Sequence, residues 1–304
     1  MIRGVSQIGV RVRRAGEIAP IARWLAAAPD AGGAGWRAAN VRLAVTEGAD
    51  DSGAALKPHE QGITHFCLQA RDPWPMFDDL AASDIRFTAP LTTLGNGTHY
   101  AYGAMPSGPF IEIESATFVP EAITGAWVAH VAFATPDLRR LSAFYTGLTG
   151  RAFTGGFSVP PRPENGIITG YDNPAMRVGW VPCGNIMLEF WQYASPPTVP
   201  REAPAPDAPG YTALVFETVG LGQGTEALAA AGVADLSPVQ REEDGALYTQ
   251  GRDPDGNAIG FVCFDDVPES PRALAALDDP WLMPRLGALR STLPPPHFRP
   301  EMIW

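Results

Sequence analysis

Four times along the chain a short apolar or alternating run opens a segment, a stripe at helical spacing follows, and a second apolar run closes it. The opening runs are Gln7-Ile8-Gly9-Val10-Arg11-Val12, His65-Phe66-Cys67-Leu68-Gln69-Ala70, His130-Val131-Ala132-Phe133-Ala134-Thr135 and Ala213-Leu214-Val215-Phe216-Glu217-Thr218. Their β-branched and aromatic content predicts strands. Helices are predicted over 17–27 (Ile18, Ile21, Trp24, Leu25), 74–82 (Met76, Phe77, Leu80), 137–148 and the alanine-rich 225–231. The third of these has Asp137 as N-cap, Leu138, Leu141, Phe144, Tyr145 and Leu148 on one stripe, and Gly147 or Gly150 as the stop.

The closing strands align on their turns. Arg252-Asp253-Pro254-Asp255-Gly256-Asn257 feeds Ala258-Ile259-Gly260-Phe261, and Pro106-Ser107-Gly108-Pro109 feeds Phe110-Ile111-Glu112-Ile113. In that frame Glu112 matches Gly260, Glu189 holds the same place in the third unit, and Arg42 is the expected match in the first. The pattern yields units at 3–47, 61–116, 125–195 and 209–264, hence an N-terminal pair over 1–118, a C-terminal pair over 119–266 and a tail over 267–304. Linkers fall at 48–61, 116–125 and 194–210, the last proline-rich and extended. The tail should hold a helix at 272–277 and stop at Pro294-Pro295-Pro296.

Composition narrows the partners more than the fold. The 304 residues are 45% hydrophobic and 18% charged, with 33 Asp+Glu against 22 Lys+Arg. A chain of that balance, without any basic run, is a poor nucleic-acid binder. Cys67, Cys183 and Cys263 lie far apart with no CxxC spacing, so they read as small core residues of a reducing compartment. The arginines at 3, 11, 13 and 14 precede no apolar signal core, and no apolar run approaches membrane-spanning length. A soluble, cytoplasmic monomer or homodimer acting on a small molecule is the expectation, with neither membrane nor nucleic acid as partner.

Chemistry concentrates where it is least comfortable. His130 and Glu189 each sit alone among apolar strand residues, and a buried ionisable group is costly unless it is paired, hydrogen-bonded or metal-bound. His65 and Glu112 repeat the pattern in the second unit. Trp191 and Tyr193, near the end of a candidate ligand strand, are candidate substrate-pocket residues. The glycine- and proline-rich 155–165 segment is long enough to form a lid. His59, His99 and His297 are expected to be solvated, and Cys67 to be a core filler sharing a face with His65.

The units resemble the vicinal oxygen chelate superfamily, which groups glyoxalases, bleomycin-resistance proteins and extradiol dioxygenases. The residues that carry the likeness are Ala129-His130-Val131-Ala132-Phe133, Phe144-Tyr145 with Leu148 and Gly150, Met187-Leu188-Glu189-Phe190, and the Asp253-Pro254-Asp255-Gly256-Asn257 turn. The resemblance implies an α+β fold of four tandem βαβββ modules, paired into two cup-shaped mixed sheets and followed by a C-terminal tail. It also implies that each module can donate one metal ligand from its first strand and one from its last. The candidate pairs are then Gln7 and Arg42, His65 and Glu112, His130 and Glu189, and Ala213 and Gly260. Two pairings are open: sequential units, as in ring-cleaving members, or the two central units together. The second is favoured, because it collects His65, Glu112, His130 and Glu189 about one divalent ion (Zn, Ni, Co, Mn or Fe(II)) and leaves units one and four as a degenerate cup.

By that resemblance the chain is expected to be a metal-dependent lyase or isomerase of the glyoxalase or epimerase type, acting through an enediolate or enolate of a small vicinal-oxygen substrate. Glu112 or Glu189 would serve as catalytic base. Two alternatives are an Fe(II) extradiol-type ring-cleaving dioxygenase and a metal-free drug-sequestering protein. No glutathione- or coenzyme A-specific motif is legible.

Overall fold

The computed structural model describes residues 1–29, 35–49, 57–94, 97–201, 205 and 207–291. Residues 50–56 of the first linker, Gly95 and Asn96, Pro204 and Pro206, the 294–296 prolines and His297 lie outside them.

The first unit consists of β1 (Ile2–Val12), α1 (Ala19–Trp24), β2 (Ala28–Pro29), β3 (Gly35–Arg37) and β4 (Arg42–Glu47). The second has β5 (Gly62–Ala70), α2 (Trp74–Ala81), β6 (Arg86–Phe87), β7 (Thr92–Thr93), β8 (His99–Ala104) and β9 (Phe110–Ser115). The third has β10 (Ala126–Ala134), α3 (Leu138–Thr149), β11 (Thr154–Val159), α4 (Pro163–Thr169), β12 (Ala175–Cys183) and β13 (Ile186–Ser195). The fourth has β14 (Gly210–Thr218), α5 (Glu226–Ala230), β15 (Gln240–Arg241), β16 (Leu247–Arg252) and β17 (Ala258–Cys263), and α6 (Leu282–Ser291) lies in the tail.

These strands form two mixed sheets, and each sheet takes one unit from residues 1–118 and one from 119–266. One sheet runs β15-β16-β17-β14-β1-β4-β3-β2 and the other β11-β12-β13-β10-β5-β9-β8-β6, with β7 on β8. In both, the first strands of two units meet antiparallel at the centre and each is flanked by the parallel closing strand of its own unit. Units two and three therefore share one cup, and units one and four the other. No helix among the described residues is long and apolar enough to cross a membrane.

Local chemistry explains the better-defined elements. Asp137 caps α3 by accepting the Arg140 amide at 3.0 Å, and Gly150 ends the helix at φ 67°. Leu138, Leu141, Tyr145 and Leu148 bury as its stripe predicts. In the turn before β17, Asp253 accepts the amides of Asp255 and Asn257, both at 2.9 Å, and the Tyr145 hydroxyl at 2.9 Å, which ties α3 to the fourth unit. The first helix is shorter than its stripe, since a 3-10 turn over Ala15–Ile18 precedes Pro20. All three cysteines are buried free thiols.

The two sheets are pinned by buried amides. Asn185, in the tight turn between β12 and β13, accepts the Val5 amide at 2.7 Å and donates to the Val5 carbonyl at 2.8 Å and the Asn40 carbonyl at 2.6 Å. Asn40 in turn donates to the Val128 carbonyl at 2.7 Å. Only glycine fits before Asn185, because Gly184 has φ 65° and a Cβ there would lie 2.2 Å from the Arg3 carbonyl oxygen. Replacing Asn185 by alanine strands several buried backbone groups and should lower unfolding free energy by about 3 kcal/mol. Urea titration measures this, and a loss below about 1 kcal/mol would show that the pin is dispensable.

The tail fills the cup of units one and four. Arg42 is buried and donates to the carbonyls of Arg272, at 2.9 Å, and Pro271, while Glu217 accepts the Leu274 amide at 2.7 Å. The Tyr248 ring occupies the space a side chain on Gly260 would need. Register also corrects the alignment of the first unit. In the second and third units the closing glutamate pairs with the residue two past the histidine, Cys67 with Glu112 and Ala132 with Glu189. Val215 pairs with Gly260 in the same way, but in the first unit Gly9 pairs with Ala44, so Ala44 holds the equivalent place and Arg42 does not. The helix expected at 272–277 is only a 3-10 turn over Leu274–Ala276, since the segment is tied to Arg42 and Glu217; α6 forms later in the tail.

Candidate metal centre

His65 and Glu112 stand on the parallel pair β5 and β9, and His130 and Glu189 on the parallel pair β10 and β13. Side chains two apart on a strand, or laterally paired across strands, share a face. The pairing of His65 with Ala132 across the antiparallel seam then turns both pairs into one cup. All four side chains are buried, with one donor atom from each inside a 4.8 Å cluster.

The geometry is that of groups converging on a shared point. His130 Nε2 lies 2.8 Å from Glu112 Oε2 and 3.2 Å from Glu189 Oε2, and His65 Nε2 lies 3.5 and 3.7 Å from the same two oxygens. Yet His65 Nε2, His130 Nε2 and Glu112 Oε2 are buried with no aligned hydrogen-bond partner. Buried polar atoms are rarely left so. Thr64 Oγ1 engages His65 Nδ1 at 3.0 Å, which leaves Nε2 for the cluster. The Trp191 indole N–H donates to Glu189 Oε2 at 2.6 Å. Two imidazole nitrogens and two carboxylates around an orphaned centre fit a divalent ion of the zinc, nickel, cobalt, manganese or iron(II) kind.

Without an ion, the four groups hold one another charged. Burial opposes the ionised carboxylates, but His130 and His65 outweigh it and hold Glu112 and Glu189 below their ordinary value of 4.5. Burial also opposes the imidazolium forms, and the two glutamates outweigh that, raising His65 and His130 above 6.5. The histidine contribution to stability is complete below 6.5 and fades as pH rises through the raised value; the glutamate contribution is complete above 4.5 and fades as pH falls. In chelator, stability should therefore peak between pH 4.5 and 6.5. A divalent ion, which needs neutral imidazole, should move that maximum upward. Denaturant midpoints across pH, with and without metal, measure this; superimposable profiles would contradict it.

The cluster opens into a cavity of about 460 Å³, whose wall includes Tyr100, Tyr102, Phe157, Met176, Trp180 and Trp191. A mostly apolar chamber with a few convergent polar groups is the usual form of a small-molecule site. Glu114 also faces it, accepting Gln69 Nε2 at 2.8 Å, and burial together with neighbouring Glu112 pushes its carboxyl up to about 7.

Other expected residues are distributed differently. Trp191 lines the cavity, whereas Tyr193 is buried beside His59 and Tyr171, with ring centroids at 6.3 and 6.1 Å, outside that wall. The 155–165 segment is not a loop lid: it forms β11 and the start of α4, because its glycines fit the β12 edge, and it is a built wall of the cavity. His59 is packed, with Nδ1 2.5 Å from the Tyr171 hydroxyl, and His99 starts β8 with its ring 4.7 Å from that of Trp74. Cys67 shares the histidine face as alternation requires, and its thiol lies 3.8 Å from Glu114 Oε2. Glu114, Gln69 and the tail residues Met283 and Arg290 were not foreseen. The alternation of Glu112 and Glu114 was a usable signal for the first, but nothing local brings the tail here.

Comparison with known proteins agrees with this architecture. Residues 127–261 match the family model of the Glyoxalase/Bleomycin resistance protein/Dioxygenase superfamily. Glyoxalase I from Zea mays superposes with a TM-score of 0.62 at 14% identity, covering 90% of this chain and 96% of the maize one. A Bacillus subtilis protein described as a "putative dioxygenase" superposes with a TM-score of 0.55 at 9% identity, covering 98% and 99%. No curated protein sequence matches the chain. The family-model match thus spans residues 127–261, and the chain as a whole has the fold of glyoxalase I.

Proposed function

We propose that this protein is a metal-dependent lyase or isomerase of the glyoxalase or epimerase type, moving a proton between adjacent carbons of a small vicinal-oxygen substrate. The observation that carries the reading is the second carboxylate. His65, His130 and either glutamate would complete a three-donor iron(II) site for ring cleavage, but both Glu112 and Glu189 face the cluster. A metal-free sequestering role would leave His65 Nε2, His130 Nε2 and Glu112 Oε2 buried and unsatisfied for no return.

A bound divalent ion would supply Lewis acidity toward negative charge developing on the substrate's vicinal oxygens. The chain supplies the base. Both glutamates are held ionised near neutral pH, and the Trp191 N–H restrains Glu189. Glu112, whose Oε2 has no aligned donor, is freer to take a C–H proton and return it to the neighbouring carbon. The apolar walls keep water from competing for that proton.

The test is exchange of C–H for deuterium in α-hydroxyaldehydes and α-hydroxyketones in heavy water, followed by NMR with the metal-loaded protein. Metal-dependent exchange without oxygen uptake is expected. Oxygen uptake on catechols in the absence of any exchange would overturn the reading in favour of ring cleavage.

A further inference from the structure

The protein carries a formal net charge of −11, yet among the described residues the cavity wall holds two arginines, Arg162 and Arg290, and neither lysine nor aspartate. Both come from segments added to the βαβββ pattern: Arg162 stands at the N-cap position of α4 without capping it through its side chain, and Arg290 lies near the end of α6. The cluster glutamates are buried, whereas both arginines are exposed, so the wall is polarised, with metal donors deep and guanidinium groups at the open end.

The placement of Arg290 is built rather than incidental. Leu282 and Leu286 bury one side of α6 against Cys67, Trp127 and Ala129, on the cup-facing side of β5 and β10. Met283 and Arg290, seven residues apart and so two turns along one helix face, are the α6 residues in the cavity wall. The Arg290 guanidinium sits over the Phe118 ring, 5.6 Å from its centroid, and is near enough to the Glu114 carboxylate to act on it electrostatically. Once Glu112 and Glu189 are balanced by a divalent ion, the charged groups left in the wall are the Glu114 carboxylate, which accepts from Gln69, and the two arginines, so positive charge is in excess. The loaded chamber then favours an anion.

We propose that Arg162 and Arg290 form a carboxylate-recognising rim, which selects a substrate bearing a carboxylate on the end remote from its vicinal oxygens. The inference rests on the reading above for where those oxygens sit. A guanidinium fork matches a carboxylate in geometry as well as charge, and two from separate segments would orient a molecule whose body lies along the aromatic walls.

The test compares 3,4-dihydroxyphenylacetate with 4-methylcatechol, which share the vicinal oxygens and differ in the carboxylate, by calorimetric titration of cobalt-loaded and chelator-treated protein. The carboxylate compound should bind the native protein about tenfold or more tighter, as expected for hydrogen bonds to charged groups. Arg290→Gln and Arg162→Gln should each erode that preference, and the double variant should abolish it. Arg285→Gln, on the same helix but paired with Asp279 outside the wall, should keep it. Equal affinity for the two compounds in the native protein, a preference surviving in the double variant, or no binding of either at millimolar concentration overturns the proposal. Failure of the metal reading is distinguishable: affinities would then be the same with cobalt and with chelator, whatever the carboxylate preference.

Discussion

Replacing His130 by alanine is expected to empty the metal centre, raising the dissociation constant of the divalent ion by more than about 100-fold, since even partners that only orient a ligand cost 10–100-fold when lost. His130 makes the closest approaches in the cluster, 2.8 Å to Glu112 and 3.2 Å to Glu189. Its removal takes away one of two nitrogen donors and leaves two buried carboxylates facing each other. Elemental analysis of protein purified without chelator, followed by competition against a chromophoric chelator, measures the effect. One rival account is physical: two imidazoliums and two carboxylates could simply be a buried charge network, balanced without any ion. The accounts separate in the native protein. A charge network binds no metal, and the stability lost in His130→Ala would be the same with metal or chelator. A metal site predicts about one ion per chain and a destabilisation that grows when metal is supplied. Native protein without bound metal would remove the centre from consideration.

The second large effect concerns the carboxylates. Glu112→Gln should lower the rate of C–H exchange by roughly 10²–10⁴, the usual contribution of a positioned acid or base, and Glu189→Gln should at least match it, because it also disturbs the Trp191 contact at 2.6 Å. Glutamine preserves shape and an oxygen donor, so part of the metal affinity should survive in both. The loss then appears in turnover more than in occupancy, provided metal content is measured beside the rate. Trp191 gives the asymmetry between the two a physical basis: it restrains the Glu189 carboxylate, whereas Glu112 Oε2 has no such tether. A Glu189→Gln protein with full metal content and undiminished exchange would exclude that carboxylate from proton transfer.

Much of this was legible in one dimension. The period-two runs located the central strands, and the helical stripe behind Asp137 located α3 nearly to the residue. His65, Glu112, His130 and Glu189 were conspicuous because an ionisable group in an apolar strand is costly unless something pairs with it. The distribution of ligand-type residues over the two central units even favoured their sharing one cup, the arrangement of the second sheet. Strand alternation is a local property, readable without any fold.

What only the tertiary structure decided was contact between distant segments. The shift from Arg42 to Ala44 depends on the β1–β4 register, which side-chain pattern alone does not determine in a short strand closed by an irregular connection. The filling of the degenerate cup depends on residues 271–274 reaching Arg42 and Glu217. The 155–165 segment reads as a loop from its glycines and prolines, but the open edge of β12 offers hydrogen bonds that outweigh that composition. Arg290 is the clearest case. In the sequence it is one charge near the end of a tail; folded, α6 buries two leucines against β5 and β10 and so carries that charge to the cavity wall. Burial of apolar area has no memory of sequence distance, and that is why the four candidate donors stood out in the chain while the approach of Arg290 to the cavity did not.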